Sequence, residues 1–198
     1  MLYIFLKLIG HFLFKIFFNM RFYGCKNVPR KGPVIIASNH LSYLDPIALG
    51  VASPRKLNFM AKEELFKNKL FAKLISSVGT FPLEKDALKN ISAIRETLRR
   101  LNQGKAVVIF PEGSRSSTGK LQKGLAGLGL VAKKSNCPIV PAFITGTDKA
   151  LPLNAKFIRF FRPISVYFGK IIMPPDTGNK ESYQSFSDKV MNEIAKLG

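Results

Sequence analysis

The stretch GPVIIASNHLSYLDP, residues 32–46, brings a strand, a loop and the start of a helix into immediate succession. Residues 32–38 form an apolar run of the length expected for a buried strand. Asp45-Pro46 is typical of a helix N-cap followed by proline at the first helical position. The pattern therefore places His40 and Asp45, five positions apart, on a loop held between two regular elements.

Two interpretations of this pair are open from the stretch alone. Asp45 can simply cap the helix, because a residue before proline avoids the helical conformation and aspartate is a preferred cap, while His40 bonds to the backbone. Alternatively, the carboxylate orients the imidazole and raises its basicity. That arrangement suits a general base that takes a proton from a hydroxyl.

Length and composition indicate one folded domain with a large positive charge. A chain of 198 residues can bury roughly 70% of its unfolded surface. The 31 Lys and Arg residues against 12 Asp and Glu give a net charge of +19, which indicates a polyanionic partner such as nucleic acid, an anionic membrane or a phosphorylated substrate. Cys25 and Cys137 show neither metal-ligand nor disulfide spacing, and with only two histidines in the chain we expect no metal site.

Residues 1–20 form a separate, almost wholly apolar segment, interrupted by Lys7, His11 and Lys15 at four-residue steps. On a helix these three residues make one narrow polar stripe, and His11 is expected to be non-catalytic. The lysines disfavour a spanning helix, and no signal-peptide cleavage pattern follows. We therefore predict an interfacial amphipathic helix with Lys7, Lys15 and Arg21 at anionic headgroups; a tilted span and a soluble core helix are the alternatives.

The rest of the chain, residues 21–198, alternates strand-like and helix-like segments, which predicts a single α/β domain with a mostly buried sheet flanked by helices. Helices are predicted over 45–53, 63–78, 86–102, 123–135 and 181–197, and the three glycines of the fourth suggest close helix packing. Strands are predicted over 32–38, 56–61, 79–83, 105–110, 138–145 and 164–168.

A basic and aromatic stretch at residues 156–162, KFIRFFR, allows three interpretations. It can stack on single-stranded nucleic acid, rest on a bilayer, or form an exposed strand with alternate residues buried. The exposed strand is the default expectation, and the apolar first twenty residues favour the bilayer over nucleic acid.

A second polar loop, FPEGSR at 110–115, follows directly on a strand predicted to be buried. Proline ends the strand, Gly113 permits an unusual backbone angle, and Glu112, Ser114 and Arg115 are delivered at the strand end, where α/β sheets bind ligands. Arg115 offers a planar fork for phosphate. Taken alone, such a loop is more often a polar surface turn.

Four segments together are more specific than either loop. NHLSYLD (39–45), GTFPLEK (79–85), FPEGSR (110–115) and VPAFITGT (140–147) resemble, in this order, the four motif blocks of the lysophospholipid acyltransferase superfamily. The nearest resemblance is to the 1-acyl-sn-glycerol-3-phosphate acyltransferases, and it extends over residues 21–172. It implies a glycerolipid-acyltransferase-like α/β domain whose active site faces a bilayer.

The resemblance also implies residue roles. His40 matches the base that deprotonates the glycerol hydroxyl, and Asp45 the acid that orients it. Glu112 and Arg115, with Gly113 and Ser114 between them, match the block that holds the phosphorylated acceptor. Lys85 stands where the second block usually has arginine, which keeps the charge but loses the bidentate geometry. Pro141 and Gly146 mark the fourth block, with a structural or acyl-associated role.

The implied reaction moves an acyl group from a thioester to the sn-2 hydroxyl of lysophosphatidic acid, giving phosphatidic acid. The donor is acyl-CoA or acyl carrier protein, with no cofactor or metal, and the expected location is the cytoplasmic face of the inner or plasma membrane. Alternatives are a related lysolipid acyltransferase with another acceptor, a nucleic-acid-binding module, and a non-catalytic membrane protein. We expect no nucleic-acid partner, because such a module leaves the paired His40 and Asp45 unexplained.

Overall fold

A computed structural model describes residues 2–83, 91–174 and 179–198. Within these ranges the strands are β1 (Arg21–Tyr23), β2 (Val34–Ser38), β3 (Leu57–Lys62), β4 (Thr80–Leu83), β5 (Ala106–Ile109), β6 (Ile139–Thr145) and β7 (Ser165–Phe168). The helices are α1 (Leu2–Phe18), α2 (Asp45–Ala52), α3 (Lys69–Ser77), α4 (Ile91–Asn102), α5 (Gly127–Ser135), α6 (Thr147–Ala150) and α7 (Lys180–Ala195).

The strands form one 7-stranded sheet in the order β1-β7-β6-β2-β5-β3-β4. Neighbouring strands are parallel, except that β6 and β7 are antiparallel. Strand β2 lies between β5 and β6, and Ala37 near its end pairs with Ile109 at the end of β5. The loops that follow β2 and β5 therefore emerge side by side at the carboxyl edge of the sheet.

Two hydrophobic cores cover the two faces of the sheet. Successive residues of β2 alternate between them: Val34 and Ile36 pack with α1 and α2, whereas Ile35 and Ala37 pack with α4, α5 and α7. Because both faces are covered, all five β2 residues are buried, which explains the continuous apolar run. The predicted α/β class, with a buried sheet flanked by helices, is confirmed.

Two predicted helices differ from the structure. The segment 63–78 divides into a 3-10 helix, Glu63–Phe66, and α3, because the Asn68 side chain accepts from Leu70 N and Phe71 N and starts a new helix. Helix α5 begins at Gly127, four residues later than predicted. The start of the helix predicted over 86–102 falls partly outside the described residues, and α4 is described from Ile91.

Helix α1 packs through Phe14 and Phe18 against the core shared with α2, and its opposite side is exposed. The exposed side is apolar and includes Ile4, Phe5, Leu8 and Phe12. At 17 residues the helix is about 26 Å long, short of the ~30 Å hydrocarbon core of a bilayer. In the part of the chain that the structure describes, no helix combines the length and apolar character needed to cross a membrane.

The expected place of Lys7 at the headgroups is wrong. Its ammonium donates a hydrogen bond to the Ser53 carbonyl at the C-terminus of α2, where a helix leaves carbonyls unsatisfied and favours a cation. Burial lowers the pKa of Lys7. Lys15 and Arg21 are exposed, and the His11 ring lies edge-on to Phe22. Because Lys7 is bonded inside the protein, the outer side of α1 carries fewer polar groups than the predicted stripe of Lys7, His11 and Lys15.

Candidate active site

The His40 imidazole and the Asp45 carboxylate are in direct contact, with Nδ1 2.8 Å from Oδ2. His40 follows the end of β2 by two residues, and Asp45 opens α2. The predicted cap assignment is wrong, because Leu44 occupies the N-cap and Asp45 is already helical. The carboxylate turns back toward the loop instead of capping the helix amides. The structure thus favours the oriented imidazole over the simple cap.

Asp45 is completely buried and is bonded mainly by the loop that carries His40. Its Oδ2 accepts hydrogen bonds from the backbone amides of Leu41 (2.6 Å) and Ser42 (2.8 Å) in addition to its contact with the imidazole. Hydrogen bonds to a carboxylate are stronger than those between neutral groups. The loop geometry and the position of the ring are therefore set by the same oxygen.

The His40 ring is held from a second side by Phe110, the residue after β5. The two rings are nearly parallel, at 13°, with their centroids 3.9 Å apart. The His40 side chain keeps 18% of its surface exposed, so solvent or a substrate can reach it. Because Nδ1 faces Asp45, Nε2 is the nitrogen placed to exchange a proton with a bound molecule.

Glu112 joins the two polar loops at the edge of the sheet. Its Oε1 accepts the His40 backbone N–H at 2.9 Å, and its Oε2 accepts the Gln122 N–H at 3.1 Å. Burial raises the pKa of the Glu112 carboxyl, while these hydrogen bonds partly oppose that shift. With both oxygens bonded to the protein backbone, this carboxylate braces the His40 loop, and its expected part in holding the acceptor stays a prediction.

Arg115 lies beside the His40 loop. Its Cζ is 3.5 Å from the centroid of the Tyr43 ring, and its Nη1 is buried without a hydrogen-bond partner among the described residues. The adjacent Ser116 N–H donates to the His40 carbonyl at 2.8 Å, which ties the two loops together. A half-buried guanidinium on an aromatic ring with an unpartnered donor is suited to bind an anion.

The other predicted site residues have more varied positions. Gly113 has φ of +74°, the left-handed conformation that its loop requires, and Ser114 is exposed. Lys85 lies outside the described residues.

In the fourth motif block, Gly146 also has a positive φ, +87°, and a Cβ there would lie 1.9 Å from the Pro163 carbonyl oxygen. Pro141 pairs with Ala37 in the β2–β6 ladder, so both fourth-block residues occupy structural positions.

Three residues that support the site were not assigned roles from sequence. Asn39 joins β6 through both ends of its amide: Nδ2 donates to the Ile144 carbonyl (2.9 Å) and Oδ1 accepts the Ile144 N–H (2.7 Å). Phe110 and Tyr43 provide the aromatic surfaces under His40 and Arg115. In the sequence, these three residues are marked only by their position inside the motif segments. The ring stacking of Phe110 and Tyr43 cannot be predicted from that position, because it depends on how the two loops meet.

The described residues contain no group of three or more His, Cys, Asp or Glu side chains that could hold a metal ion. Both cysteines are free; Cys137 is buried and Cys25 is half-buried.

Comparison with solved structures gives a close fold match. PlsC, the 1-acyl-sn-glycerophosphate acyltransferase of Thermotoga maritima, superposes with a TM-score of 0.79 over 96% of this chain and 77% of that protein, at 24% sequence identity. At this identity the similarity establishes the fold alone.

Sequence relatives carry related names. The chain is 31% identical over 138 residues to the 1-acyl-sn-glycerol-3-phosphate acyltransferase of Bacillus subtilis, which covers 69% of this chain and 68% of the relative. It is 28% identical over 196 residues to BAT2, the chloroplastic 1-acyl-sn-glycerol-3-phosphate acyltransferase of Brassica napus, covering 94% of this chain and 55% of the relative. The chain thus spans about half of the Brassica protein and about two thirds of the Bacillus protein.

The model of the acyltransferase family matches residues 19–145, which include both polar loops at the carboxyl edge of the sheet. This match takes in more than half of the 198 residues. The chain therefore belongs to the acyltransferase family.

Proposed function

We propose that this protein transfers a fatty acyl group from an acyl thioester to the sn-2 hydroxyl of lysophosphatidic acid, giving phosphatidic acid. The observation that carries the proposal is the 2.8 Å contact of His40 Nδ1 with Asp45, on a loop bonded to the one that presents Arg115. Membership of the acyltransferase family supports the reaction class. The names of the Bacillus and Brassica relatives support the acceptor.

His40 acts as the general base in this proposal. Its Nε2 accepts the proton of the sn-2 hydroxyl as that oxygen attacks the thioester carbonyl, and Asp45 stabilises the imidazolium that forms. The tetrahedral intermediate then collapses, the C–S bond breaks, and the departing thiolate recovers the proton from His40. A thioester is already activated, so the reaction needs no acyl-enzyme, cofactor or metal ion.

Arg115 holds the acceptor phosphate in this proposal. Its guanidinium has a buried Nη1 without a described partner, and it lies on the Tyr43 ring, three residues along the chain from His40. A phosphate bound there would bring the glycerol hydroxyl toward the imidazole. Lys85 would add positive charge. The donor is either acyl-CoA or acyl carrier protein, both of which are anionic and complement a chain of net charge +19.

Membrane association completes the proposal. Both the acceptor and the product are lipids, and the outer side of α1 exposes Phe5 (60%), Leu8 (65%) and Phe12 (64%) to solvent. An apolar helix face with basic surroundings binds in the interface of an anionic leaflet. We place the enzyme on the cytoplasmic face of the inner or plasma membrane, where acyl-CoA and acyl carrier protein are available.

The test is acyl transfer by purified protein in mixed micelles, with lysophosphatidic acid and each donor type in separate reactions and products identified by mass spectrometry. His40→Ala should lower kcat by about 10²–10⁴-fold, the usual contribution of a general base, at an unchanged melting temperature. His11→Ala is the matched control, because it removes the only other histidine, which is exposed on α1.

Near-normal turnover by His40→Ala would reject the assignment of the base. Transfer to other lysolipids but not to lysophosphatidic acid would reject the acceptor while leaving the acyltransferase chemistry intact. Product formed with only one of the two donors would identify the thioester carrier.

A further inference from the structure

Residues 156–162, called here the basic–aromatic loop, have an unusual surface. They form neither helix nor strand, and every one of them is exposed. The expected exposed strand with alternate residues buried is therefore wrong. Phe157 is 82% exposed and Phe161 76%, among the largest exposures of any apolar side chain that the structure describes. Two largely exposed phenylalanines in one loop are unfavourable in water unless something covers them.

One of these exposed rings is attached to a strained backbone. Phe161 has φ of +58°, in the left-handed region that bulky residues rarely adopt. The conformation is maintained by neighbouring hydrogen bonds, since Phe161 N–H donates to the Phe17 carbonyl (2.7 Å) and Ile164 N–H to the Phe18 carbonyl (3.0 Å). Strained residues of this kind concentrate at functional sites. Here the fold maintains a strained backbone beside a ring that faces solvent.

The loop is continuous with the end of α1. The Phe160 ring packs against Phe17 and Phe18, with centroid distances of 5.0 and 6.0 Å, and Phe161 lies 6.4 Å from Phe17. The outer side of α1 is itself exposed and apolar. The basic–aromatic loop therefore packs on the last turn of the helix whose outer side is apolar.

We propose that the basic–aromatic loop is a second membrane-contacting element, which inserts Phe157 and Phe161 at the acyl boundary of an anionic leaflet beside α1. Lys156, Arg159 and Arg162 are interleaved with the aromatic residues, and the loop contains no acidic residue, so its charge complements anionic headgroups. This inference rests on the part of the proposed function that places α1 on a membrane.

A leaflet explains the surface better than two other occupants. Single-stranded nucleic acid could stack on the loop but would leave the adjoining apolar side of α1 uncovered. A second copy of the chain would bring two proteins of net charge +19 together at their basic loops, which is electrostatically unfavourable. A leaflet covers both apolar surfaces and compensates the cations.

The loop is also linked to the candidate active site. Arg159 N–H donates to the Ala150 carbonyl (2.7 Å), and the next carbonyl, that of Leu151, accepts the Ser42 hydroxyl (2.7 Å). Ser42 N–H in turn bonds to Asp45. Contact of the loop with the leaflet would therefore set the height of the His40 loop above the lipid surface.

The chain contains no tryptophan, so single substitutions report the position of one residue without background. We would prepare Phe157→Trp in the loop, Phe5→Trp on the outer side of α1, and Ser185→Trp on the exposed side of α7, which packs on the opposite sheet face. Each is mixed with vesicles of phosphatidylglycerol, with or without bromine on the acyl chains. Bromine quenches only tryptophans that reach the acyl region.

Quenching and a blue shift of both Phe157→Trp and Phe5→Trp, with neither change for Ser185→Trp, would support the inference. Quenching of Phe5→Trp alone would overturn it and leave the membrane role of α1 intact. If bromine quenches none of the three tryptophans, membrane association in the proposed function is rejected as well. Emission changes of Phe157→Trp caused by oligothymidine or by protein concentration, without bromine quenching, would assign the loop to nucleic acid or to self-association.

A second measurement tests the energetic contribution of the loop. The double variant Phe157→Ser, Phe161→Ser should weaken partitioning into phosphatidylglycerol vesicles by about tenfold or more, because two apolar side chains lose their burial. Phe157→Leu, Phe161→Leu should restore most of the binding. Equal partitioning of the serine variant and the unsubstituted protein would overturn the inference.

Discussion

The Arg115 guanidinium lies over the Tyr43 ring, with Cζ 3.5 Å from its centroid, and its Nη1 is buried with no hydrogen-bond partner among the described residues. An aromatic surface of this kind holds a planar group better than a point charge. An anionic ligand that accepts hydrogen bonds from this guanidinium is therefore held both by charge attraction and by the fixed direction of the N–H donors.

Arg115→Lys should raise KM for lysophosphatidic acid by about 10–100-fold, with a smaller change in kcat, because lysine keeps the charge but loses the fork and the stacking. Tyr43→Phe is the matched control, since it retains the ring and should leave KM nearly unchanged. Steady-state kinetics in mixed micelles measure both. An unaltered KM for Arg115→Lys would argue against a phosphate contact.

Glu112 allows a pH prediction. Burial raises the pKa of its carboxyl in the folded protein, so between the ordinary and the raised pKa the folded state binds more protons than the unfolded state. The free energy of unfolding contributed by this group is therefore fully present below the ordinary pKa and falls as pH rises through the raised one.

Glu112→Gln removes this titrating group. The other carboxyl groups are present in both the variant and the unsubstituted protein, so their effects on the pH dependence of stability largely cancel when the two are compared. The stability advantage of the unsubstituted protein over Glu112→Gln should be largest at acidic pH and should decline as pH rises. Urea denaturation at a series of pH values measures this difference. An advantage that grows with pH would contradict the assigned direction of the pKa shift.

The candidate site shows which features of single residues can be predicted from the sequence. The spacing of His40 and Asp45 and the strand-end position of Arg115 predicted residues that the structure brings to one edge of the sheet. The stacking of Phe110 on His40 was not predictable, because it depends on β5 pairing beside β2. The direction of the Asp45 carboxylate likewise depends on the folded loop.

At the scale of elements, the glycines of the segment predicted as helix 123–135 also show that contacts between distant residues cannot be predicted from the sequence. A Cβ added at Gly129 would lie 2.2 Å from the Tyr183 carbonyl oxygen on α7, whereas one added at Gly127 would meet nothing within 4 Å. Gly129 N–H also donates to the Ser187 hydroxyl, so the two helices touch closely there. Close helix packing was predicted, but which glycine permits it was not.

Gly129→Ala should lower the free energy of unfolding by about 1–3 kcal/mol, because α5 and α7 must separate to admit the methyl group. Gly127→Ala, two residues away in the same helix, should leave stability unchanged or raise it by up to about 1 kcal/mol. Chemical denaturation of the two variants gives the comparison. Equal stabilities would show that α5 and α7 adjust freely.

The whole molecule carries a net charge of +19 and an apolar outer side on α1, and these two properties respond differently to salt. Attraction to anionic lipid is screened over about 10 Å at ~0.1 M salt and about 3 Å at ~1 M, whereas apolar burial is not screened. Both contribute to the proposed association with a leaflet.

Binding to phosphatidylglycerol vesicles should therefore fall by about tenfold or more between ~0.1 and ~1 M NaCl yet remain detectable, since the apolar contribution survives. Binding to phosphatidylcholine vesicles should be weaker and nearly independent of salt. Vesicle flotation measures both. Salt-independent binding to the anionic vesicles would show that the net charge has no part in membrane attachment.

The amino-acid sequence by itself determined the α/β class and most strands and helices, because hydrophobic periodicity is a local property of the chain. It also singled out His40 and Asp45 as the candidate base and acid, through the resemblance of four motif segments to a known family. The tertiary structure alone decided which loops share an edge of the sheet, where Lys7 points, which glycine lies at a helix contact, and that residues 156–162 are an exposed loop. These features arise from contacts between residues far apart in sequence, whose geometry depends on strand order and helix packing.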